Sequence, residues 1–182
     1  MRNFLQLACL VLIPVVCHAA NAQASLNGSF PVIASYNLEK TKVTLPADFQ
    51  GQVNLIFLTF ESEQQKAADT WAPVVKNVEA SRPGLHHYLL PVYGKENFLY
   101  RWWINSSLRS SLPEDEQRQT TIPLYLNRPT FMKSLKIDSD QDVTVLLVDK
   151  QGRVLWREMG ELNDAKLSSL QAALISVSKA EH

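Results

Sequence analysis

The spacing of apolar and polar positions predicts a chain that alternates between strands and helices. Residues 53–60 (VNLIFLTF) are almost all apolar, which is typical of a strand buried on both faces of a sheet. Further strand patterns are residues 85–93, 121–126, 142–148 and 153–159, and helical spacing covers 61–78, 95–110, 129–136 and 163–177. Residues 37–46 favour a short hairpin or an extended lead-in, and 111–120 a polar, acidic connection.

The order of these elements predicts an α/β domain with a sheet covered by helices on both faces. Ser62 and Gln65 have the spacing of a capping box at the start of the first helix. Pro73 predicts a kink or a break within that helix. The last two strands are joined by residues 149–152, a turn that ends in glycine and predicts a hairpin.

The first 22 residues have the features of a signal peptide. Arg2 precedes the apolar run 4–16, which is too short to span a bilayer, and Ala20-Asn21-Ala22 fits a cleavage site. We place cleavage after Ala22, with Ala19 or Ala20 as alternatives. A retained membrane anchor is a second possibility, and a lipoprotein with Cys17 lipidated would lack the required small residue before the cysteine.

These features divide the chain into a cleaved signal peptide (1–22), an N-terminal extension (23–36) and a folded domain (37–178). The expected location is the periplasm or the exterior, without stable membrane insertion after cleavage. Cys9 and Cys17, the two cysteines of the chain, lie in the signal, so we expect a mature chain without thiols. The equal numbers of basic and acidic residues, 18 each, argue against a nucleic-acid partner.

The element order, together with two sequence stretches, resembles the thioredoxin-like fold and its peroxiredoxin or redoxin branch. One stretch is residues 144–157 (TVLLVDKQGRVLWR) with Gly160 and Glu161, which is similar to the family's last hairpin and following glycine. The other is Leu45-Pro46 and residues 49–52, ahead of the buried strand. The resemblance implies a three-layer sandwich, in which helices flank a central mixed sheet that ends in a β-hairpin and a helix.

The resemblance also implies where a reactive cysteine would stand, at the start of the helix that follows the first central strand. A helix N-terminus stabilises a thiolate there. This chain has no cysteine in that stretch, which comprises Thr59, Phe60, Glu61, Ser62, Glu63 and Gln64. The family's cis-proline loop corresponds to Asp142, Val143 and Thr144, without a proline.

The sequence gives little support for a calcium site, a zinc site or an acid–base pair. The carboxylates of residues 138–142 resemble the start of a calcium loop, but Val143 stands where the loop needs glycine. His86 and His87 are adjacent in a strand and point to opposite faces, so they are poor ligands for one zinc ion. Glu61 and Glu63 are better explained as negative charges that stabilise a helix N-terminus than as a catalytic acid–base pair. We therefore expect no metal, no cofactor and no catalytic residue.

The most aromatic stretch of the chain lies in the second helical pattern, residues 95–110. Phe98, Tyr100, Trp102 and Trp103 follow one another within six residues. One interpretation is core packing against the sheet with a residue at the rim. The other is a partner-binding surface, because Trp, Tyr and Arg are frequent interface anchors.

These observations favour a non-catalytic module that binds a protein or peptide, with a chaperone-like or assembly role. We expect its groove beside the first helix, between residues 59–65 and the loop before Thr144, with the aromatic helix as a second face. The alternatives are a redoxin-like oxidoreductase that acts with a partner's thiols, an enzyme of another kind, and a structural domain of an exported complex.

Cleavage after Ala22 predicts an exported protein that begins at Gln23. Intact-mass spectrometry of the protein recovered from the cell envelope or medium measures this directly. A mass that retains residues 1–22 would contradict the signal-peptide assignment and favour the anchored form.

Overall fold

The computed structural model describes residues 28–180, so the expected signal peptide and residues 23–27 lie outside the described part. The strands are β1 (Ile33–Tyr36), β2 (Lys42–Leu45), β3 (Val53–Thr59), β4 (Leu85–Tyr93), β5 (Leu124–Tyr125), β6 (Thr144–Asp149) and β7 (Val154–Met159). The α-helices are α1 (Gln65–Asp69), α2 (Ala72–Ser81), α3 (Phe98–Ser111), α4 (Asp115–Thr120), α5 (Arg128–Ser134) and α6 (Asp164–Ala180), and a 3₁₀ turn covers Ser62–Gln64.

A mixed five-stranded sheet in the order β5-β4-β3-β6-β7 forms the centre of the fold. β3 pairs in parallel with β4 and antiparallel with β6, and β4 pairs in parallel with β5. β1 and β2 form a separate antiparallel hairpin. The carboxyl ends of β3, β4 and β5 therefore meet at one edge of the sheet.

Two apolar cores lie on the two faces of this sheet. On one face, alternate residues of β3, β4 and β6 pack with the β1–β2 hairpin, Phe30 and α5. On the other, the intervening residues pack with α1, α2 and α6. All seven residues of β3 are buried, as the continuous apolar run predicts. The three-layer α/β architecture expected from the sequence is confirmed.

The predicted order of strands and helices is also confirmed. The helix that contains Pro73 breaks into α1 and α2, because Thr70 and Trp71 separate them and Pro73 lies in the first turn of α2. In the final hairpin, Gly152 has φ of +81°, and a Cβ there would meet the Phe30 carbonyl oxygen at 2.9 Å. Glycine fits this turn because it adopts positive φ without steric cost.

The structure differs from the sequence expectation at residues 111–120. The predicted polar connection contains α4, a two-turn helix without a single buried residue. Asp115 and Glu116 lie in its first turn, where negative charge is favourable. Arg118 donates to the carbonyl oxygens of Leu112 and Pro113 at 2.9 and 2.7 Å. A helix held by charges and local hydrogen bonds leaves no apolar periodicity to detect.

The N-terminal hairpin begins earlier than residue 37. Its first strand, β1, lies within the stretch assigned to the extension, and Phe30 is buried in the core. Among residues 28–180, none of the helices combines the length and apolar character needed to cross a bilayer.

Trp71 is the largest side chain without solvent exposure in the core around α1, α2 and α6. Its indole Nε1 donates to the Gly160 carbonyl oxygen at 3.1 Å. Its ring meets Phe57 and Trp156 edge-on, with centroids 6.3 and 6.2 Å away. The side chain at the α1–α2 break thus joins the central strand to the end of the last hairpin.

We expect Trp71→Phe to lower the free energy of unfolding by about 1–3 kcal/mol, because it removes the buried hydrogen bond and leaves a small cavity. Trp102→Phe is the matched control. Trp102 is 64% exposed, so its replacement should change stability by less than about 0.5 kcal/mol. Chemical denaturation of both variants measures the difference, and equal values for the two would contradict the packing described.

Candidate functional site

The stretch where the resemblance places a reactive cysteine lies at the carboxyl end of β3 and in the following 3₁₀ turn. Thr59, Phe60 and Gln64 are buried, whereas Glu61, Ser62 and Glu63 are exposed. Glu61 has extended backbone ahead of the turn and makes no side-chain capping hydrogen bond. The expected Ser62–Gln65 capping box is therefore wrong: the Ser62 hydroxyl lies 3.1 Å from a Glu63 carboxylate oxygen instead.

Gln64, rather than Gln65, makes the contact back to the strand. Its Oε1 accepts from the Phe60 backbone N–H at 2.8 Å, and its Nε2 donates to the Asp140 carbonyl oxygen at 2.7 Å. Both ends of this buried amide are thus hydrogen-bonded. The side chain ties the end of β3 to the segment that precedes β6.

Arg128, the first residue of α5, ties the same region from the opposite side. Its Nη2 donates to the carbonyl oxygens of Phe60 and Val92 at 2.9 and 3.4 Å. Its Nη1 donates to Glu61 Oε1 at 3.0 Å and to Asp140 Oδ2 at 3.2 Å. The planar guanidinium, which offers five donors, therefore connects β3, β4, α5 and the loop before β6.

The electrostatics of this tie favour a charged Asp140. The hydrogen bond from Arg128 lowers the pKa of the Asp140 carboxyl below its ordinary value of 3.8, against a smaller opposing effect of burial. We call the set of Gln64, Arg128, Glu61 and Asp140 the edge tie. These ion pairs and hydrogen bonds link the end of β3 to the segment before β6, at the position where the resemblance would place a thiolate.

Arg128 was not singled out from the sequence, although a signal for it exists. It follows β5 by three residues, and the carboxyl ends of parallel strands meet at one edge of a sheet. A cation after β5 and a carboxylate after β3 are therefore expected to approach each other.

The loop that corresponds to the family's cis-proline loop lies beside this region. Thr144 is paired with Leu58 across β3 and β6, and the Val143 carbonyl accepts from the Gly160 N–H at 2.8 Å. Val143 and Thr144 are buried and Asp142 is exposed. The structure thus brings residues 142–144 next to 59–64, with the Gln64–Asp140 contact spanning the junction.

The aromatic helix α3 presents its large side chains to solvent. The most exposed are Phe98, Leu99, Trp102, Trp103 and, to a lesser degree, Tyr100. Tyr100 and Trp103 stack with ring centroids 5.8 Å apart. Of the two interpretations of this stretch, core packing against the sheet is wrong. Ile104 is the buried residue of the helix, and the stretch 98–103 lies largely outside the core.

The inner side of α3 is held mostly by polar contacts. The Arg101 guanidinium lies over the Tyr125 ring, 4.5 Å from its centroid, and the Tyr125 hydroxyl donates to Asn105 Oδ1 at 2.7 Å. At the other end, Arg109 contacts the Leu38 carbonyl and the Glu39 carboxylate. Burial raises the pKa of the Tyr125 hydroxyl above its ordinary value, because the charged phenolate is disfavoured away from water. We call the outward set Phe98, Leu99, Tyr100, Trp102 and Trp103 the aromatic face.

His86 and His87, weighed as zinc ligands, lie on β4 away from the edge tie and the aromatic face, whereas Asp140, weighed within a calcium loop, belongs to the edge tie. His87 Nδ1 is 2.8 Å from Glu79 Oε1, in a contact between β4 and α2. Within residues 28–180, no three His, Asp or Glu side chains come together as a metal-binding set.

Comparisons with solved structures identify the fold. A BsSco structure, described as a member of the Sco family of cytochrome c oxidase assembly proteins, is similar over 81% of this chain and 94% of its own, with TM-score 0.56 and 16% identity. The exposed lipoprotein thioredoxin of Streptococcus pneumoniae matches 78% of this chain and 99% of its own, with TM-score 0.53 and 14% identity. A putative electron transfer protein of Aquifex aeolicus covers 81% and 97%, with TM-score 0.55 and 8% identity.

Neither a protein-family model nor a curated protein matches the sequence. At these low identities, the structural likeness establishes the fold and leaves the chemistry of the site to the residues described above. The chain has a thioredoxin-like, redoxin-like fold, as the sequence resemblance implies.

Arg128→Gln should lower the free energy of unfolding at pH 7 by about 1–3 kcal/mol, because the Phe60 and Val92 carbonyls lose a charged donor. The difference from the wild type should narrow as the pH falls below 3.8. Since the folded chain lowers the pKa of Asp140, the Arg128–Asp140 contribution is present above that value and is lost as the carboxylate protonates.

Asp140→Asn is the control for this pH dependence. In the Asp140→Asn background, the cost of Arg128→Gln in free energy of unfolding should persist and should change less with pH, since one of the two carboxylates paired with Arg128 is gone. Denaturation curves across the acid range measure both effects. If the difference in free energy of unfolding between the wild type and Arg128→Gln stayed constant or grew on acidification, that result would contradict the edge tie.

Proposed function

We propose that this thioredoxin-fold chain is an exported protein that binds a protein or peptide partner and carries out no redox chemistry of its own. The observation that carries this proposal is the aromatic face of α3. Trp102 and Trp103 are 64% and 59% exposed on a helix whose inner contacts include Arg101, Asn105 and Arg109. The first half of this helix thus presents apolar and aromatic side chains to solvent, whereas a surface helix usually presents polar ones.

An exposed apolar surface of this kind supports a partner. Contiguous apolar surface on a soluble protein usually marks an interaction site. Trp and Tyr carry much of the binding energy at interfaces, because they bury large areas at a small cost in side-chain entropy. The polar anchoring of α3 fixes the helix so that these rings point outward.

The edge tie supports the non-catalytic part of the proposal. Thiol–disulfide exchange needs a thiolate as nucleophile, and residues 18–182 contain no cysteine. The Phe60 carbonyl and the Glu61 carboxylate at the end of β3 already have a donor in Arg128, and the neighbouring Asp140 carbonyl has one in Gln64. A substrate that used the Phe60 carbonyl as an acceptor would have to displace Arg128.

We also propose that the protein is exported and that its partner binding serves the assembly of a complex. The signal-peptide features support export, and one protein of similar fold is described as an exposed lipoprotein. Another is described as an assembly protein for cytochrome c oxidase, which illustrates that this fold serves in assembly. The same description mentions a disulfide switch, which supports the alternative that this chain acts together with a partner's thiols.

The aromatic face predicts co-purification of a stoichiometric partner from the native cell envelope. Trp102→Ala with Trp103→Ala should reduce capture by tenfold or more, consistent with about 2 kcal/mol or more from interface aromatics. Ile175→Ala is the matched control, because Ile175 is also an exposed apolar helix residue, 52% exposed, and lies on α6. Equal capture by the double variant and the control would remove the aromatic face from the proposal.

The absence of a thiol in residues 18–182 predicts no turnover in disulfide-reductase or peroxidase assays of the cleaved protein. The same assays with the captured partner added test the alternative. Turnover by the cleaved protein alone would overturn the non-catalytic proposal. Turnover that requires the partner's cysteines would replace it with the oxidoreductase alternative.

A further inference from the structure

A groove of about 500 Å³ lies over β4, on the sheet face that α1, α2 and α6 cover. α1 and α2 form one wall, and residues 112–121, with α4, form the other. Its apolar lining includes Phe57, Ala68, Val75, Leu89 and Leu112. The volume is within the range of pockets that hold small ligands or a few peptide side chains.

The pattern along β4 shows that this part of the sheet is incompletely covered. Tyr88 and Leu90, which face the hairpin and α5, are buried. His87 and Leu89, which line the groove, are only half-buried. Because neighbouring strand residues point to opposite faces, this difference places the opening on the α2 side of β4.

The charges around this apolar floor are mainly negative. The rim carries Asp69, Glu79, Glu114 and Glu116, against the single ammonium of Lys76. Glu79 is engaged with His87, and Asp69 accepts from Gln65 at 2.8 Å. Within the part of the chain that the structure describes, Glu114 and Glu116 have no ion-pair or hydrogen-bond partner for their carboxylates.

We propose that this groove binds a short polypeptide segment in which one or two aliphatic side chains are flanked by Lys or Arg. The aliphatic side chains would cover Leu89 and the neighbouring floor, and the flanking cations would approach Glu114 and Glu116. Charges placed beside a low-dielectric wall attract a counter-charge more strongly than isolated surface charges do. The site is separate from the aromatic face and takes a ligand of different chemistry.

A labelled peptide, Arg-Arg-Leu-Ala-Leu-Arg-Arg, tests this inference by fluorescence anisotropy with the purified protein. We expect saturable binding at about 50 mM salt that weakens at about 300 mM, because salt screens the rim charges. The same peptide with Glu in place of Arg should not bind. Binding of both peptides alike, or of neither, would overturn the proposal.

Two sets of variants locate the binding. Glu114→Gln with Glu116→Gln should weaken the basic peptide by about fivefold or more, whereas Glu96→Gln with Glu161→Gln, an equal charge change at exposed positions away from the groove, should not. Ala72→Trp, at an exposed position in the groove wall, should abolish binding by filling the space. Circular dichroism and melting curves verify that each variant is folded.

Equal weakening by the two charge variants, or undiminished binding by folded Ala72→Trp, would overturn the groove as the site. The outcome is independent of the aromatic face. Partner capture that depends on Trp102 and Trp103, together with no peptide binding, would overturn the groove proposal and leave the proposed function standing.

Discussion

The hydrogen bonds and ion pairs of the Arg128 guanidinium hold together the edge of the sheet on which the rest of this fold depends. Parallel pairing brings the carboxyl ends of β3 and β4 to one edge of the sheet, where backbone carbonyls need donors. Arg128 supplies them and pairs with Glu61 and Asp140. The resemblance to redoxins places the reactive thiolate at this edge. Here the same position is held by charge pairing, so this edge of the sheet contributes to the stability of the fold.

Both proposed binding surfaces involve the long connection between β4 and β5. This connection contains α3 and α4. The first half presents the aromatic face, and the second half forms one wall of the acid-rimmed groove. Neither helix belongs to the core in the usual way: α3 buries Ile104 alone, and α4 buries no residue. Because these helices add so little to the core, most of their surface is open to the proposed contacts.

The sequence was most informative where apolar periodicity is strong. β3, the hairpin of β6 and β7, and the break at Pro73 follow from such patterns. The orientation of α3 does not follow from its pattern, because a pattern identifies an apolar face without indicating what covers that face. α4 was missed because charges and local hydrogen bonds hold it. Arg128 was missed because its partner Glu61 is 67 positions away, and only the strand topology brings them together.

The proposed function requires that the aromatic face of α3 contacts a partner in the living cell. Site-specific photo-crosslinking tests it most directly, with a photoreactive residue in place of Trp103 on the aromatic face or Ile175 on α6. We expect one discrete adduct from position 103 and none from position 175. No adduct from position 103, or the same adducts from both positions, would contradict it.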